Sequence, residues 1–263
     1  MTCLIAGVLN CTPDSFSDGG KYKTPEDAVA AGVRMVEEGA SWIDVGGEST
    51  RPGAAPVAAD EEQARVLPVI KGLRRRLTKT IRISIDTYKA STAKAAITAG
   101  ASLVNDISGG LLEPDIIRVA GRAGAGVVLG HLRGAPAKMM ETVSFGDVVS
   151  EVGNELAERI AAARAAGCSD VWADPGIGFG KRLEHNLALL RALPALATRL
   201  GVPIMVGVSR KAFIGQLTGK PTRERGYGTA AAVTAVVLGG AAAVRVHDVA
   251  AMRDVVKVAT ALR

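Results

Sequence analysis

The sequence predicts a single (β/α)8 TIM barrel, an α/β fold, from its length and from the recurrence of its apolar segments. The chain has 263 residues, which is near the upper size of one hydrophobic core and typical of this barrel. Short β-branched apolar runs alternate eight times with amphipathic stretches, as expected for a parallel sheet that is covered on both faces. We therefore expect residues 1–263 to form one domain.

The eight repeats follow one another along the chain. The predicted strands are Leu4–Leu9, Trp42–Val45, Ile81–Ile85, Leu103–Val104, Gly126–Leu129, Val171–Ala173, Pro203–Val206 and Ala243–Val246. The predicted helices are Pro25–Glu38, Asp60–Leu77, Lys89–Ala99, Pro114–Ala123, Phe145–Ala166, Leu183–Leu200, Thr229–Leu238 and Val249–Leu262. The uncharged segment Gly226–Val244 approaches the length of a membrane span. Because Gly239 and Gly240 interrupt it, a buried helix, a turn and a strand are favoured, and no membrane association is expected.

Composition excludes several classes of function. Apolar residues make up 48% of the chain and charged residues 22%, which is an ordinary globular balance. Only 3% of the residues are aromatic, which argues against binding single-stranded nucleic acid by base stacking. The net charge of +6 suits a small polyanionic substrate as well as a nucleic acid. The basic run Arg74–Arg76 ends a predicted helix, where cations stabilise the helix dipole, so it is not interpreted as a nucleic-acid patch.

The cysteines and the N-terminal segment predict a cytoplasmic protein. Cys3, Cys11 and Cys168 form no CxxC motif and cannot build a disulfide framework, which indicates a reducing compartment. No basic region precedes the apolar run Met1–Asn10, so no signal peptide of the usual form is expected.

Polar residues follow each predicted strand, at the end where barrels of this type hold their active sites. In order, these segments are Asn10–Gly20, Asp44–Gly53, Asp86, Asn105-Asp106, His131–Gly134, Asp174–Lys181, Ser209–Lys211 and Arg245–Asp248. We expect the polar groups of all eight strand ends to converge on one cavity.

Three acidic or amide residues and one lysine suggest the ligand. Asp86, Asn105 and Asp174 can bind N–H donors, and Lys211 can donate to a carbonyl or ring nitrogen. The amino-pyrimidinone edge of a pterin or a guanine has this pattern. Any single aspartate could be a helix N-cap, but three such residues on different strands favour a binding site.

Cationic residues on the same rim suggest a phosphate site. Arg51, Arg245 and His247 could together hold a diphosphate, since Arg-x-His alternation places both side chains on one face of a strand. Ser209 is predicted to cap a helix that starts at Arg210, whose N-terminus would attract an anion. A diphosphate typically binds Mg²⁺, and Asn10 is the candidate residue to supply an oxygen ligand for this ion. The three histidines form no HExxH motif, which argues against a zinc site.

These segments resemble the dihydropteroate synthase family over essentially the whole chain. Asn10–Gly20 is similar to the family's N-V-T-P-D-S-F-S-D-G-G, and Asp44–Gly53 to its D-V-G-G-E-S-T-R-P-G. Further signatures match in order at Ser84–Thr87, Asn105–Ile107, Asp174–Lys181, Ser209–Lys211 and Arg245–Val249. The resemblance implies a Mg²⁺-dependent transferase that condenses 6-hydroxymethyl-7,8-dihydropterin diphosphate with 4-aminobenzoate. It also implies a homodimer and sulfonamide inhibitors, which copy 4-aminobenzoate.

The resemblance assigns roles by position. It implies that the pterin is held by Asp86, Asn105, Asp174 and Lys211, and the diphosphate by Asn10, Thr50, Arg51, Arg245 and His247, with Mg²⁺ on Asn10. It implies that 4-aminobenzoate is bound by Phe16, Ser49, Thr50, Pro52, Phe179 and Ser209, with Asp14 closing over the reacting carbon.

Some residues depart from the family pattern. Cys11 replaces a usual valine and is interpreted as a small buried apolar residue. Gly130 and Leu132 replace methionines beside the family's histidine, which predicts a differently shaped wall of the pterin pocket.

Two other functions remain open at this stage. A folate-to-corrinoid methyltransferase would have a similar barrel but needs neither a diphosphate clamp nor aminobenzoate loops. A non-catalytic pterin-binding paralogue would keep the fold without turnover.

Overall fold

The computed structural model describes residues 2–12, 24–50, 53–141 and 143–263. The strands are β1 (Leu4–Asn10), β2 (Trp42–Gly46), β3 (Arg82–Asp86), β4 (Leu103–Asp106), β5 (Gly126–Gly130), β6 (Val171–Asp174), β7 (Met205–Val206) and β8 (Ala243–Val246). The α-helices are α1 (Pro25–Glu37), α2 (Ala59–Arg76), α3 (Ala90–Ala99), α4 (Asp115–Arg122), α5 (Val148–Ala165), α6 (Leu183–Arg191), α7 (Leu193–Leu200), α8 (Ala212–Thr218), α9 (Gly226–Leu238) and α10 (Val249–Ala261). A 3₁₀ turn covers Thr222–Glu224.

The eight strands form one parallel sheet in the order β6-β5-β4-β3-β2-β1-β8-β7. A parallel bridge between Ala173 and Ile204 brings the start of β7 against β6. The Ala173 amide donates to the Pro203 carbonyl at 3.0 Å. The sheet therefore closes almost completely on itself, which confirms the predicted (β/α)8 barrel.

Local signals in the sequence account for several helix ends. The α1 helix begins with a capping box in which Thr24 and Asp27 bond reciprocally, followed by Pro25 in the first turn. The α2 helix ends at Arg76, so the basic run lies in its last turn as predicted. The α3 helix ends at Gly100, whose φ of 116° is in the range that glycine adopts without strain.

The amino end of the barrel is filled by side chains. The rings of Trp42 and Trp172 meet edge to face with centroids 5.5 Å apart, inside a cluster with Leu103, Val128 and Met205. The guanidinium of Arg82 lies 5.7 and 5.3 Å from the two tryptophan rings. Because this end is packed, the polar ends of the strands at the opposite end are left to form the site.

Three helix assignments differ from the prediction. The predicted helix Leu183–Leu200 is two helices, α6 and α7, that meet at Ala192, and Pro194 lies in the first turn of α7, where its missing N–H is tolerated. The α5 helix begins only at Val148, with Asp147 as its N-cap, and α9 begins three residues earlier than predicted. The predicted helix, turn and strand over 226–244 are confirmed. No helix within the described ranges is long and apolar enough to cross a membrane.

Candidate active site at the carboxyl ends of the strands

One pocket opens at the carboxyl end of the barrel, and six strands contribute to it. It is lined by the predicted pterin residues Asp86, Asn105, Asp174 and Lys211, together with Phe179 and Arg245. The remaining wall consists of Ile107, Gly130, Gly176, Ile177 and Gly207. The structure thus brings together six of the predicted site residues from widely separated parts of the chain.

A buried aspartate that the sequence analysis did not single out organises the floor of this pocket. Asp44 is 1% exposed, and its Oδ2 accepts hydrogen bonds from Arg245 Nε at 2.6 Å and from Asn105 Nδ2 at 3.0 Å. Its Oδ1 accepts from the Ser84 hydroxyl. Asp44 therefore orients two residues of the pocket. The signal for it was the strand alternation, which places Asp44 on the same inward face as Trp42.

Asp86 is a buried carboxyl of the pocket that the described residues bind on one oxygen only. Its Oδ2 accepts from Arg245 Nη2 at 2.6 Å, whereas its Oδ1 is buried and has no hydrogen-bond partner among the described residues. Burial raises the pKa of Asp86 to about 7, and the neighbouring Arg245 opposes this rise. A buried acceptor without a partner is costly in the empty protein, and a ligand N–H placed there would satisfy it.

Asp174 and Lys211 form the opposite side of the pocket. Asp174 Oδ1 accepts from the Gly176 amide at 2.7 Å, and burial raises the pKa of this carboxyl. Burial also lowers the pKa of Lys211 to about 8, although Asp174 favours its charged form. The Lys211 ammonium lies 4.0 Å from the centroid of the Phe179 ring, within cation–π range.

The structure contradicts the prediction that Ser209 caps a helix. The α8 helix begins at Ala212, and Lys211 occupies the N-cap position without a side-chain cap bond. The reason is Arg210, whose φ of 58° is left-handed and interrupts the helical geometry. The Ser209 hydroxyl instead lies 3.0 Å from His247 Nδ1 and accepts from the His247 amide at 3.3 Å. Ser209 thus supports His247 at the rim.

The other predicted residues that the structure describes are not part of the pocket lining. Asn10 is partly exposed at the end of β1, where it pairs in register with Gly46 of β2. Ser49 is exposed and Thr50 is partly exposed after β2. Asp14, Phe16, Arg51 and Pro52 lie outside the described residues. Within the described ranges, no three His, Cys, Asp or Glu side chains form a cluster that could hold a metal ion.

The expectation that all eight strand ends converge on the cavity is wrong for the described part of the chain. Asp106 accepts from Ser108 and Gly110 and so closes a turn. His131 is fully buried and binds Lys181 and Glu155. These polar residues support loops and are not part of the pocket lining.

The departures from the family pattern have structural explanations. Cys11 is fully buried, and burial raises the pKa of its thiol to about 12, so its interpretation as an unreactive packing residue fits the structure. A Cβ on Gly130 would lie 2.6 Å from the backbone of Ile107, so no larger residue fits without a shift. Leu132 packs in a cluster with Ile107 and Met139 and is not part of the pocket lining.

A larger cavity of about 380 Å³ lies on the outer surface beside α4 and α5. Gly110, Ile117 and Arg159 are among the residues that line it, and none of the predicted site residues does. Because the convergent polar groups lie in the barrel mouth, we assign the site there.

Comparison with known proteins agrees with this geometry. The model of the pterin binding enzyme family matches residues 6–247. The chain belongs to this family. A dihydropteroate synthase of Synechocystis sp. is 46% identical over 98% of this chain and 89% of its own length.

Solved structures of dihydropteroate synthases are also similar to this chain in sequence and in fold. The Yersinia pestis dihydropteroate synthase in a sulfonamide drug complex superposes with a TM-score of 0.93 at 39% identity, over 100% of this chain and 94% of that one. The Xanthomonas albilineans enzyme with 4-aminobenzoic acid gives 0.90 at 43% identity, over 99% and 93%. Its complex with 7,8-dihydropteroate gives 0.87 at 40% identity, over 99% and 94%.

The depressed pKa of Lys211 yields a first prediction, on stability. The folded state disfavours the ammonium, so Lys211→Met should raise the free energy of unfolding at pH 7 by about 1–3 kcal/mol. Between the folded pKa of about 8 and the ordinary value of 10.5, the parent itself gains stability as pH rises, so the advantage should shrink at pH 10. Urea unfolding at both pH values measures this. A Lys211→Met protein that is less stable than the parent at pH 7 would contradict it.

Proposed function

We propose that the chain is a dihydropteroate synthase of folate biosynthesis. This transferase joins 6-hydroxymethyl-7,8-dihydropterin diphosphate to 4-aminobenzoate and releases 7,8-dihydropteroate and diphosphate. The observation that carries the proposal is the convergence of Asp86, Asn105, Asp174 and Lys211 on one pocket, in a chain that belongs to the pterin-binding family.

The pterin ring fits the charges of this pocket. Its amino and ring N–H groups would donate to the carboxylates of Asp86 and Asp174, and one of them would satisfy the unpartnered Asp86 Oδ1. Lys211 would donate to an acceptor on the ring. Asn105, whose amide nitrogen is bound to Asp44, contributes a fixed amide for recognition. Each of these bonds involves a charged or pre-oriented group, which makes it stronger than an average neutral bond.

The diphosphate would extend from the pterin toward β8 and β1. Arg245 and His247 lie on β8 and directly after it, and β8 neighbours β1, which ends at Asn10. Thr50 and Arg51 complete this group by family resemblance. Arg245 already binds Asp44 and Asp86, so its guanidinium is held in place before any phosphate arrives.

The donor set is compatible with Mg²⁺ held chiefly by the substrate. Asn10 offers one neutral amide oxygen, and the described residues supply no acidic cluster beside it. Magnesium typically keeps several waters and binds phosphate oxygens with only one or two protein ligands. When bound, it would offset charge on the diphosphate.

The chain's residues would promote loss of diphosphate followed by attack of the amine. The bond between the pterin methylene carbon and the diphosphate oxygen breaks, and its electrons leave with the diphosphate. Arg51, Arg245 and His247 stabilise that charge, while the electron-rich ring, held by Asp86, Asp174 and Lys211, stabilises the cationic carbon. Asp14 is proposed to close over this carbon. The arylamine nitrogen then forms the new C–N bond and loses a proton.

The 4-aminobenzoate would lie above the pterin, near Phe179 and Lys211. These two side chains are in contact at the pocket, and they offer an apolar face and a positive charge to the ring and the carboxylate. Ser209 lies nearby on the turn that leads to Lys211. Phe16, Ser49, Thr50 and Pro52 are assigned to the same subsite by family resemblance. Proximity of two oriented reactants then contributes up to about 7–11 kcal/mol.

Incubation with both substrates and Mg²⁺ tests the proposal directly. Chromatography should detect 7,8-dihydropteroate and diphosphate in equal amounts. Pterin binding without product would indicate a non-catalytic paralogue, and absence of both binding and product would refute the proposed function.

Asp174→Asn should reduce the affinity for 6-hydroxymethyl-7,8-dihydropterin by at least tenfold. Loss of a charge-assisted acceptor costs about 1.5–3 kcal/mol. Calorimetry measures the change. Asp170→Asn is the matched control, since Asp170 binds Arg82 and Trp172 at the opposite end of the barrel. Equal effects of the two substitutions, or none, would remove Asp174 from the pterin site.

Sulfonamides should inhibit competitively with 4-aminobenzoate, because they share its arylamine body and differ where the subsite opens to solvent. Steady-state kinetics with sulfamethoxazole, at several fixed concentrations of 4-aminobenzoate, measures the mode of inhibition. Full turnover with the drug in large excess would show that the subsite rejects its larger substituent.

A homodimer would cover exposed apolar side chains on the last three helices. Tyr227 is 95% exposed and Val258 is 60% exposed, and Leu217, Leu238 and Leu262 are also exposed. The α9 and α10 helices that carry most of these residues pack against each other. Exposed apolar side chains on neighbouring helices are a feature of protein interfaces.

Light scattering tests this assembly. The parent chain should have twice the mass of 27.0 kDa, and Val258→Glu should shift it toward the monomer because a charge would be buried in the interface. Leu111→Glu is the control, since Leu111 is also exposed but lies before α4, away from these helices. A monomeric parent would refute the dimer.

The free thiols support a cytoplasmic location for this activity. All three cysteines are buried and unpaired, and burial raises the pKa of the Cys3 thiol to about 11. Such thiols persist in a reducing compartment.

A further inference from the structure

Lys181, which follows the glycine-rich loop after β6, is buried in a cage of acceptors. The residue is 3% exposed. Its Nζ lies 3.0 Å from His131 Nδ1 and donates to the carbonyl oxygens of Gly176 and Phe179 at 3.0 Å and of His131 at 3.2 Å. No carboxylate lies within 4.0 Å of this nitrogen in the described part of the chain. The cage therefore consists of dipoles alone.

The loop is shaped so that its carbonyl groups surround this ammonium. Gly176, Gly178 and Gly180 all have left-handed φ values, of 68°, 82° and 59°. A Cβ on Gly176 would lie only 1.9 Å from the His131 carbonyl oxygen, so the loop and the segment after β5 are in close contact. The glycines let the chain wrap around the lysine, which links these two segments.

The cage is anchored to α5 through His131. Burial lowers the pKa of this imidazole to about 2, so it is neutral. Since Lys181 donates to Nδ1, the ring proton lies on Nε2, which donates to Glu155 at 3.1 Å. Glu155 in turn accepts from Arg133 Nε at 2.9 Å. The position of the loop is thereby set relative to a long helix.

The loop carries one group of the aminobenzoate subsite and makes one of the bonds that hold the pterin aspartate. Phe179, whose carbonyl Lys181 binds, presents its ring to the Lys211 ammonium. The Gly176 amide of the loop donates to Asp174 Oδ1 at 2.7 Å, but Asp174 is also fixed by the pairing of β6 with β5, and its carbonyl accepts from the His131 amide at 3.0 Å. A substitution of Lys181 should therefore weaken the binding of 4-aminobenzoate more than the binding of the pterin.

We propose that Lys181 is a positioning residue that sets the height of the Phe179 ring over Lys211 and so determines the binding of the arylamine substrate. This inference rests on the proposed function and names a residue that acts without touching substrate. The caged Lys181 side chain adds to two other bonds of the loop, from the Phe179 amide to the Gly176 carbonyl at 3.1 Å and from the Gly178 amide to Asn186 Oδ1 at 2.7 Å. Without the Lys181 ammonium, the loop would keep those two bonds but lose its link to the His131 segment, and the Phe179 ring would no longer be fixed relative to Lys211.

Lys181→Met, which keeps an unbranched side chain one atom shorter than lysine and removes the charge, tests the proposal. The KM for 4-aminobenzoate should rise at least tenfold, while calorimetry should show the affinity for 6-hydroxymethyl-7,8-dihydropterin changed by less than threefold. Lys220→Met is the matched control, because Lys220 is exposed and pairs only with Glu224 among the described residues. It should leave both values unchanged. An unchanged KM, or an equal loss for both ligands, would overturn the proposal.

Two further measurements separate positioning from general loosening. Phe179→Ala and the double variant with Lys181→Met should have the same KM for 4-aminobenzoate, because the lysine acts through that ring. Methylammonium should restore the KM of Lys181→Ala at least threefold. If the two substitutions raised the KM additively, or if methylammonium did not lower it, Lys181 would not act through the Phe179 ring.

A milder variant keeps the test decisive if Lys181→Met does not fold. His131→Leu removes one of the four acceptors and should raise the same KM at least threefold; no rise in the folded variant would overturn the proposal. Turnover by the parent chain is measured in parallel. Absence of product there refutes the proposed function, whereas an active variant with an unchanged KM refutes only the role of Lys181.

Discussion

The site depends on how the carboxyl end of the barrel buries charge. Arg245 lies between Asp44 and Asp86 with 2.6 Å contacts to both, and this pairing makes it possible to remove all three groups from water. It fixes the guanidinium, and through Asp44 it also fixes the amide of Asn105. The pairing is incomplete, since one oxygen of Asp86 has no partner among the described residues. The pocket is therefore pre-organised and still requires a ligand that donates hydrogen bonds.

The rest of the barrel makes this arrangement possible. The amino end is filled by Trp42 and Trp172, so the charged layer rests on a packed floor. Parallel strands bring distant residues to one edge, which is how groups from β3 to β8 share a pocket. The glycine-rich loop after β6 adds the Phe179 ring without placing a bulky side chain between the ring and Lys211, since a Cβ on Gly178 would already lie 3.2 Å from Lys211 Cδ.

The sequence predicted the barrel and the main pocket residues because both follow from periodic patterns. The recurrence of the apolar runs predicted the strands. The positions of Asp86, Asn105, Asp174 and Lys211 at the strand ends predicted that they belong to the site. What escaped prediction depends on conformation or burial. Asp44 lies within a strand that is otherwise apolar, so its polar role was not evident. The predicted helix start at Ser209 and Arg210 was wrong because Arg210 has a left-handed φ. Nothing local in the sequence indicated that Lys181 turns inward to a carbonyl cage.

If a pterin edge completes the buried charges of the pocket, its binding must exchange protons with the buffer. N–H donors from the ligand should lower the pKa of Asp86 from about 7, and an acceptor should raise the pKa of Lys211 from about 8. Calorimetry of 6-hydroxymethyl-7,8-dihydropterin, in buffers of different ionisation enthalpy, counts the protons. Net proton release is expected at about pH 6.5 and net proton uptake at about pH 8.5. Binding without proton exchange at either pH would contradict this expectation.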